Sequence, residues 1–179
     1  KKAIESGRLQ SINKAPITGL GEGWWVTPNF LKKHPKLNTV EKVLTRPDLF
    51  PYVENRLKGA FMGCPAGWGC QLANANLYRA FQMKKKGWVL VNPGSGAGLK
   101  GSIAKAAIRG ENWFGYYWNP TAIVGKYNLV MLPFEAKWAG PKNWDGCIVK
   151  PEQDCADPKP SSWTKSAVRT VITTKFAKR

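Results

Sequence analysis

The stretch Gly63-Cys64-Pro65-Ala66-Gly67-Trp68-Gly69-Cys70-Gln71 places two cysteines around a short turn and runs directly into the longest helical signal of the chain. Leu72, Ala73, Ala75, Leu77, Tyr78, Ala80, Phe81 and Met83 recur at helical spacing, predicting a helix over Gln71–Lys85. Lys84-Lys85-Lys86 would complement its C-terminus and Gly87 would end it. A Cys64–Cys70 bridge would cinch the turn, stabilising it by roughly 2 kcal/mol through loop-closure entropy. The backbone N–H groups of Gly69 and Cys70 then fall at a helix N-terminus, which favours an anion. Trp68 stands beside them, and an indole face holds a cation. One loop thus offers both halves of a site for a zwitterion with a carboxylate and a quaternary ammonium. The plainer alternative is a locked turn with a core tryptophan.

Moving outward, short strand patterns alternate with helices. Gly19-Leu20-Gly21-Glu22-Gly23 reads as a flexible lead into a strand at Trp24–Thr27, stopped by Pro28, with a helical turn at Asn29–Lys33. Asn38–Leu44 reads as a capped helical turn, and Gly59–Gly63 and Trp88–Val91 as strands. Leu99–Arg109 is a second helix closed by Gly110, Asn112–Trp118 an aromatic strand, Pro120–Lys126 a short helix and Tyr127–Leu132 a further strand. This alternation predicts an α/β fold with a central, mostly parallel sheet flanked by helices. From 133 to 162 periodicity vanishes and Pro, Lys, Gly and Trp dominate, the composition of a long surface excursion. Ser166–Thr174 is β-rich again.

The chain has 179 residues, enough to bury a real core. Four cysteines, Cys64, Cys70, Cys147 and Cys155, allow three pairings. The local pairing, Cys64–Cys70 with Cys147–Cys155, closes two short loops and points to an oxidising compartment. Four reduced, buried thiols are the alternative. Their spacing and the lone, distant His34 do not suit a structural zinc, so no metal is expected. No signal peptide opens the chain, and no apolar run approaches the length of a membrane span.

Lys and Arg number 28 against 11 acids, a net charge of +17. That charge alone suggests nucleic acid or an acidic partner. The basic residues are dispersed, however, and no zinc-finger, RNP1 or comparable nucleic-acid signature is present. Stacking of single-stranded bases on interleaved Trp and Lys stays as the alternative function. The glycine-rich run Gly94–Ser102 resembles a phosphate loop but lacks the required Gly before Lys100. Asp145, Glu152, Asp154 and Asp157 cluster without calcium-loop spacing, the pattern of a solvated acidic loop. With no acid/base pair or nucleophile set, an enzyme is not expected, and neither is a cofactor.

Trp113-Phe114-Gly115-Tyr116-Tyr117-Trp118-Asn119-Pro120 carries aromatics to the C-terminal end of a strand, where open α/β sheets bind ligands. Trp118 is the firm candidate for a second wall around a cation; Tyr116 and Tyr117 are weaker ones. Together, the cysteine loop and this strand resemble the C-x-x-G-W-G-C loop and the aromatic strand ending in Trp-x-Pro of glycine betaine/proline betaine substrate-binding proteins of ABC importers. The resemblance spans about residues 20–135 and resumes at the final strand.

The resemblance implies a lobe of the type II periplasmic-binding-protein fold. It implies that Trp68 and Trp118 box an ammonium group, that Gly69 and Cys70 bind a carboxylate through their N–H groups, and that Cys64 and Cys70 are disulfide-bonded. It divides the chain into a lead-in segment, 1–23, and a second lobe, 24–174, with hinge strands near 24–27 and 169–174. The first lobe, which contributes another aromatic in the family, would be largely absent, and the Cys147–Cys155 excursion is not a general family feature. The implied partners are a small quaternary ammonium ligand and a membrane permease, with no nucleic acid. The implied full-length protein is a monomer, periplasmic or extracellular, with a lipid tether as an option. Glycine betaine, proline betaine, choline, carnitine and trimethylamine N-oxide all present a methylated cation; Gly69 and Cys70 mildly favour those with a carboxylate.

Overall fold

A computed structural model describes residues 2–12, 21–164 and 170–178. The strands are β1 (Leu9–Ser11), β2 (Gly21–Val26), β3 (Gly59–Met62), β4 (Trp88–Val91), β5 (Phe114–Asn119), β6 (Val130–Met131) and β7 (Val171–Thr173). The helices are α1 (Lys2–Glu5), α2 (Pro28–Lys33), α3 (Val40–Leu44), α4 (Gly69–Ala80), α5 (Gly96–Arg109), α6 (Ala122–Tyr127), α7 (Gly140–Asn143) and α8 (Thr174–Ala177). The chain divides into two compact units, Lys1–Gly21 with Lys165–Arg179, and Glu22–Thr164.

In the first unit β1 and β7 pair antiparallel, with Leu9 opposite Thr173 and Ser11 opposite Val171. Thr173 caps α8 by accepting the Phe176 N–H at 3.2 Å. The expected hinge strand at 169–174 is strand at Val171–Thr173; Val168 and Arg169 lie outside the described residues, as do Gly19 and Leu20 of the lead-in.

The second unit is a five-stranded sheet in the order β4-β3-β5-β2-β6, flanked by helices. β4, β3 and β5 run parallel, while β2 and β6 are antiparallel. Gly21–Gly23, expected as a flexible lead-in, is the start of β2. Trp24, Trp25 and Val26 are all buried, because this strand lies inside the sheet and is covered on both faces. Trp24 is the hub of the core, with Phe61, Phe114 and Phe134 ring centroids 4.5, 5.8 and 5.2 Å away. Its indole N–H is satisfied by the Asn74 side-chain oxygen at 2.8 Å. Burying that donor without a partner would cost several kcal/mol, on the order of 2 or more. Gly115 lets β5 approach β3: a Cβ there would stand 2.5 Å from the Met62 carbonyl oxygen.

α4 departs from the sequence expectation at both ends. It begins at Gly69, with the chain still in the cysteine loop, and stops at Ala80 rather than Lys85. Gln82 takes a left-handed conformation (φ 52°), and the Met83 N–H donates to Tyr78 O at 3.0 Å. This turn drives Met83 fully into the core and leaves Lys84–Lys86 outside the helix. Packing one methionine and aiming Trp88 into β4 outweighs another turn of helix. α5 likewise starts earlier than its apolar stripe, because Ser95 caps it by accepting the Gly98 N–H at 3.0 Å. Its end is as expected, at Gly110 in the left-handed region (φ 65°).

The aperiodic excursion is not a loose surface loop. α7, a π-helical turn at Trp144–Ile148 and a 3₁₀ turn at Glu152–Asp154 fold it into a cap. Trp144, Ile148, Cys155 and Ser161 are buried. The buried Asn76 amide nitrogen of α4 donates to the carbonyls of Cys147, Ile148 and Lys150 at 3.2, 3.0 and 2.8 Å. Arg79, one turn on, pairs with Glu152 at 3.5 Å and donates to Ala156 O at 3.3 Å. Both expected disulfides, Cys64–Cys70 and Cys147–Cys155, are formed, with Cα separations of 5.8 and 4.5 Å.

Candidate functional site

The C-terminal ends of β3 and β5 open on the same side of the sheet, since the two strands are parallel with Met62 opposite Gly115. From the end of β3 the chain enters the disulfide-closed loop. From the end of β5 it passes Trp118 and Asn119 to a cis peptide bond at Pro120. The two segments meet. Trp68 and Trp118 have ring centroids 5.7 Å apart and planes at 68°, the corner of a box. Trp68 is 40% exposed and Trp118 partly buried, so both rings keep accessible surface.

Trp68 is the residue before α4 and makes no side-chain cap to it. Gly69 and Cys70, as the first two helical residues, have N–H groups without intrahelical acceptors. The next N–H, that of Gln71, is held by Trp68 O at 3.0 Å. The Gln71 side chain reaches back to accept the Gly67 N–H at 2.8 Å. The loop therefore turns its remaining donors and the positive end of a three-turn helix toward the neighbourhood of Trp68. The far edge of the Trp68 indole lies against the backbone of Gly96, the first residue of α5. A Cβ at Gly96 would come within 3.0 Å of Cη2 and 3.1 Å of Cζ2.

The tyrosines fall behind Trp118 rather than beside it. Tyr117 is fully buried and stacks on Trp118 at 4.5 Å and 25°. Tyr116 is 3% exposed and stacks at 6.1 Å and 30°. Burial raises the phenol pKa of both. At Tyr116 the nearby Glu22 carboxylate adds to this, by its charge and its closeness to the hydroxyl. Both rings thus stay neutral and support the Trp118 wall.

Sequence reasoning did not single out Glu22, Gly96 or Trp163. Glu22 lies on β2 near Tyr116, and Trp163 closes the excursion with its ring 5.4 Å from that of Tyr116. An isolated acid in a Gly-Glu-Gly run, and a tryptophan in an aperiodic segment, carry no pattern that could mark them. Of the acidic cluster, Glu152 pairs with Arg79 and Asp157 with Lys159. Among the described residues no group of three or more His, Cys, Asp or Glu could hold a metal, and no helix is long and apolar enough to cross a membrane.

Three solved structures have a similar fold. A glycine betaine/L-proline-binding protein of an ABC transporter from Borrelia burgdorferi matches with a TM-score of 0.60 and 15% identity, over 99% of this chain and 52% of its own. A choline-binding protein of an ABC transporter, in complex with choline, matches with a TM-score of 0.58 and 13% identity, over 98% and 50%. A lactococcal protein complexed with glycine betaine matches with a TM-score of 0.53 and 20% identity, over 92% and 50%. The chain thus spans about half the length of these structures. No curated protein sequence matches it significantly. The family profile described as the substrate-binding domain of the ABC-type glycine betaine transport system matches residues 1–179. The chain belongs to that family of substrate-binding domains.

Proposed function

We propose that Glu22–Thr164 forms the core of the second lobe of a two-lobe solute receptor, and that it holds a quaternary ammonium compound such as glycine betaine against Trp68 and Trp118. The observation that carries this reading is their near-perpendicular contact beside an uncapped helix N-terminus. Two indole faces attract a methylated cation, each by roughly 0.5–2 kcal/mol when desolvated. The Gly69 and Cys70 N–H groups can donate to a carboxylate without its having to displace an existing cap. The family match supports a receptor role, and the choline and glycine betaine complexes among the fold neighbours support the ligand class. Neither the match nor the neighbours support the nucleic-acid alternative.

In this reading the other lobe closes over the ligand, and the closed form docks on a membrane permease. The receptor carries out no chemistry, works as a monomer in the periplasm or outside the cell, and can be tethered by lipid. The test is calorimetric titration of the intact protein, with any sequence that flanks Lys1–Arg179, against glycine betaine, proline betaine, carnitine, choline and trimethylamine N-oxide. Saturable binding of at least one, lost in Trp118→Ala, is expected. Absence of binding across the panel by a folded protein overturns the ligand class.

A further inference from the structure

The excursion that caps α4 returns to the ligand wall. The Trp163 indole N–H donates to Glu22 Oε2 at 3.1 Å, and the Tyr116 hydroxyl lies near the same carboxylate. The Trp163 ring is wedged between Tyr116 and Trp144, 5.4 Å from each. Tyr116 in turn stacks on Trp118. A continuous aromatic row results, running from Trp68 through Trp118 and Tyr116 to Trp163. At one end lie the N–H groups of Gly69 and Cys70; at the other lies Glu22. Among the described residues no lysine or arginine pairs with Glu22, although the chain carries 28 of them. The indole that holds it is a neutral group, so among the described residues no cation cancels its negative charge.

We propose that Glu22, positioned by Trp163, determines which methylammonium ligands the site prefers: it favours those that are net cations, such as choline, relative to zwitterions, and turns the ammonium of a zwitterion away from Gly69 and Cys70. This rests on the reading of Trp68 and Trp118 as the ligand wall. The physical reason is the sign of the field along the row. A net cation gains the whole attraction of the carboxylate. In a betaine, repulsion of the ligand's own carboxylate offsets most of that gain. At a separation on the order of 10 Å in a partly solvated site, losing one unit charge weakens a cation's binding about fourfold, but a zwitterion's less than about twofold. Trp163 is a positioning residue. Its N–H fixes the carboxylate, and its ring backs Tyr116.

The experiment compares the intact wild-type protein with Glu22→Gln and Trp163→Phe, titrating choline and glycine betaine at low and high salt. Glu22→Gln should lower choline affinity about fourfold and glycine betaine affinity less than about twofold, so that the affinity ratio shifts by about two to three. Salt should weaken choline binding more in the wild type than in Glu22→Gln. Trp163→Phe, which keeps a ring but removes the N–H, should shift the ratio in the same direction by a smaller factor. A merely structural role would weaken both ligands alike and leave ratio and salt dependence unmoved. That result in proteins that bind overturns the proposal while the ligand-wall reading stands. If the wild type binds neither ligand, the reading fails and this inference with it. If Glu22→Gln lacks the wild-type circular dichroism, the ratio in Trp163→Phe decides.

Discussion

Trp68 leans its indole edge on the backbone of Gly96, so the start of α5 backs the exposed ring that meets Trp118. The cysteine loop presents the ring, but the glycine-rich turn after β4 supports it. That turn, Gly94–Gly98, resembles a phosphate loop in sequence, and its role here is steric.

Gly96→Ala should therefore act on the site at a distance from the ligand. The new methyl would meet Cη2 and Cζ2 of Trp68 at 3.0 and 3.1 Å, tighter than ordinary contact, and the ring must give way. Gly96 has an ordinary negative-φ helical position, so the backbone is not strained by the change. We expect ligand affinity to fall a few-fold, with unfolding free energy changed by less than about 1 kcal/mol. Calorimetry and chemical denaturation on one preparation separate the two effects. An unchanged affinity would mean that Trp68 is free to reposition at no cost.

Trp68→Ala should weaken binding by about tenfold or more, the loss of one cation–π wall. Because the side chain is 40% exposed, stability should barely change. A calorimetric affinity equal to that of the wild type removes Trp68 from the site.

The double substitution Cys64→Ser with Cys70→Ser opens the loop that positions Trp68 and the first N–H groups of α4. Loop-closure entropy sets the expected loss of stability at about 2 kcal/mol. Affinity should fall as well, since the loop then samples other conformations. Urea denaturation with and without a saturating ligand reads both; a variant as stable as the wild type would show that helix packing alone holds the turn.

Asn76→Ala tests whether the cap is integral to the lobe. The substitution strips partners from the carbonyls of Cys147, Ile148 and Lys150 and from Arg79. We expect a loss of about 2–4 kcal/mol, together with faster amide exchange confined to 140–160. Uniform exchange throughout the unit would contradict a locally pinned cap.

Tyr116 predicts the alkaline limb of stability. Its folded pKa is raised, chiefly by burial, above the ordinary 10.0. The unfolded chain therefore releases the phenolic proton first. The stabilisation is complete below about pH 10 and is lost as pH rises above it, by up to about 1.4 kcal/mol per pH unit for one proton. Tyr116→Phe should make this decline shallower between pH 10 and 11, measured by denaturant titration. Tyr117 and Tyr78, shifted in the same direction, keep part of the slope. A slope identical to that of the wild type would mean that Tyr116 ionises alike in both states.

What could be read from the chain was local. Trp68, Gly69 and Cys70 are contiguous, so a turn, a helix start and a ring face follow from covalent order and from the geometry of a helix N-terminus. The strand–helix alternation likewise predicted the α/β layers, because periodicity records which side of each element is buried. Helix limits were less legible. α4 stops at Ala80 because Met83 has a core site to fill, and that site is built by residues distant in sequence.

Only the tertiary structure decided which tryptophans are available. Trp24, Trp25 and Trp88 are core, whereas Trp68 and Trp118, which their motifs single out in sequence, meet at the corner. Only the fold could bring Glu22 to Trp163, 141 positions away, and set both behind Tyr116. Contacts at that separation leave no imprint on neighbouring residues, since the start of a strand and an aperiodic cap constrain each other through space and not through spacing. The residues that make the candidate site recognisable were therefore written in sequence, while those that pack around it were placed by the fold.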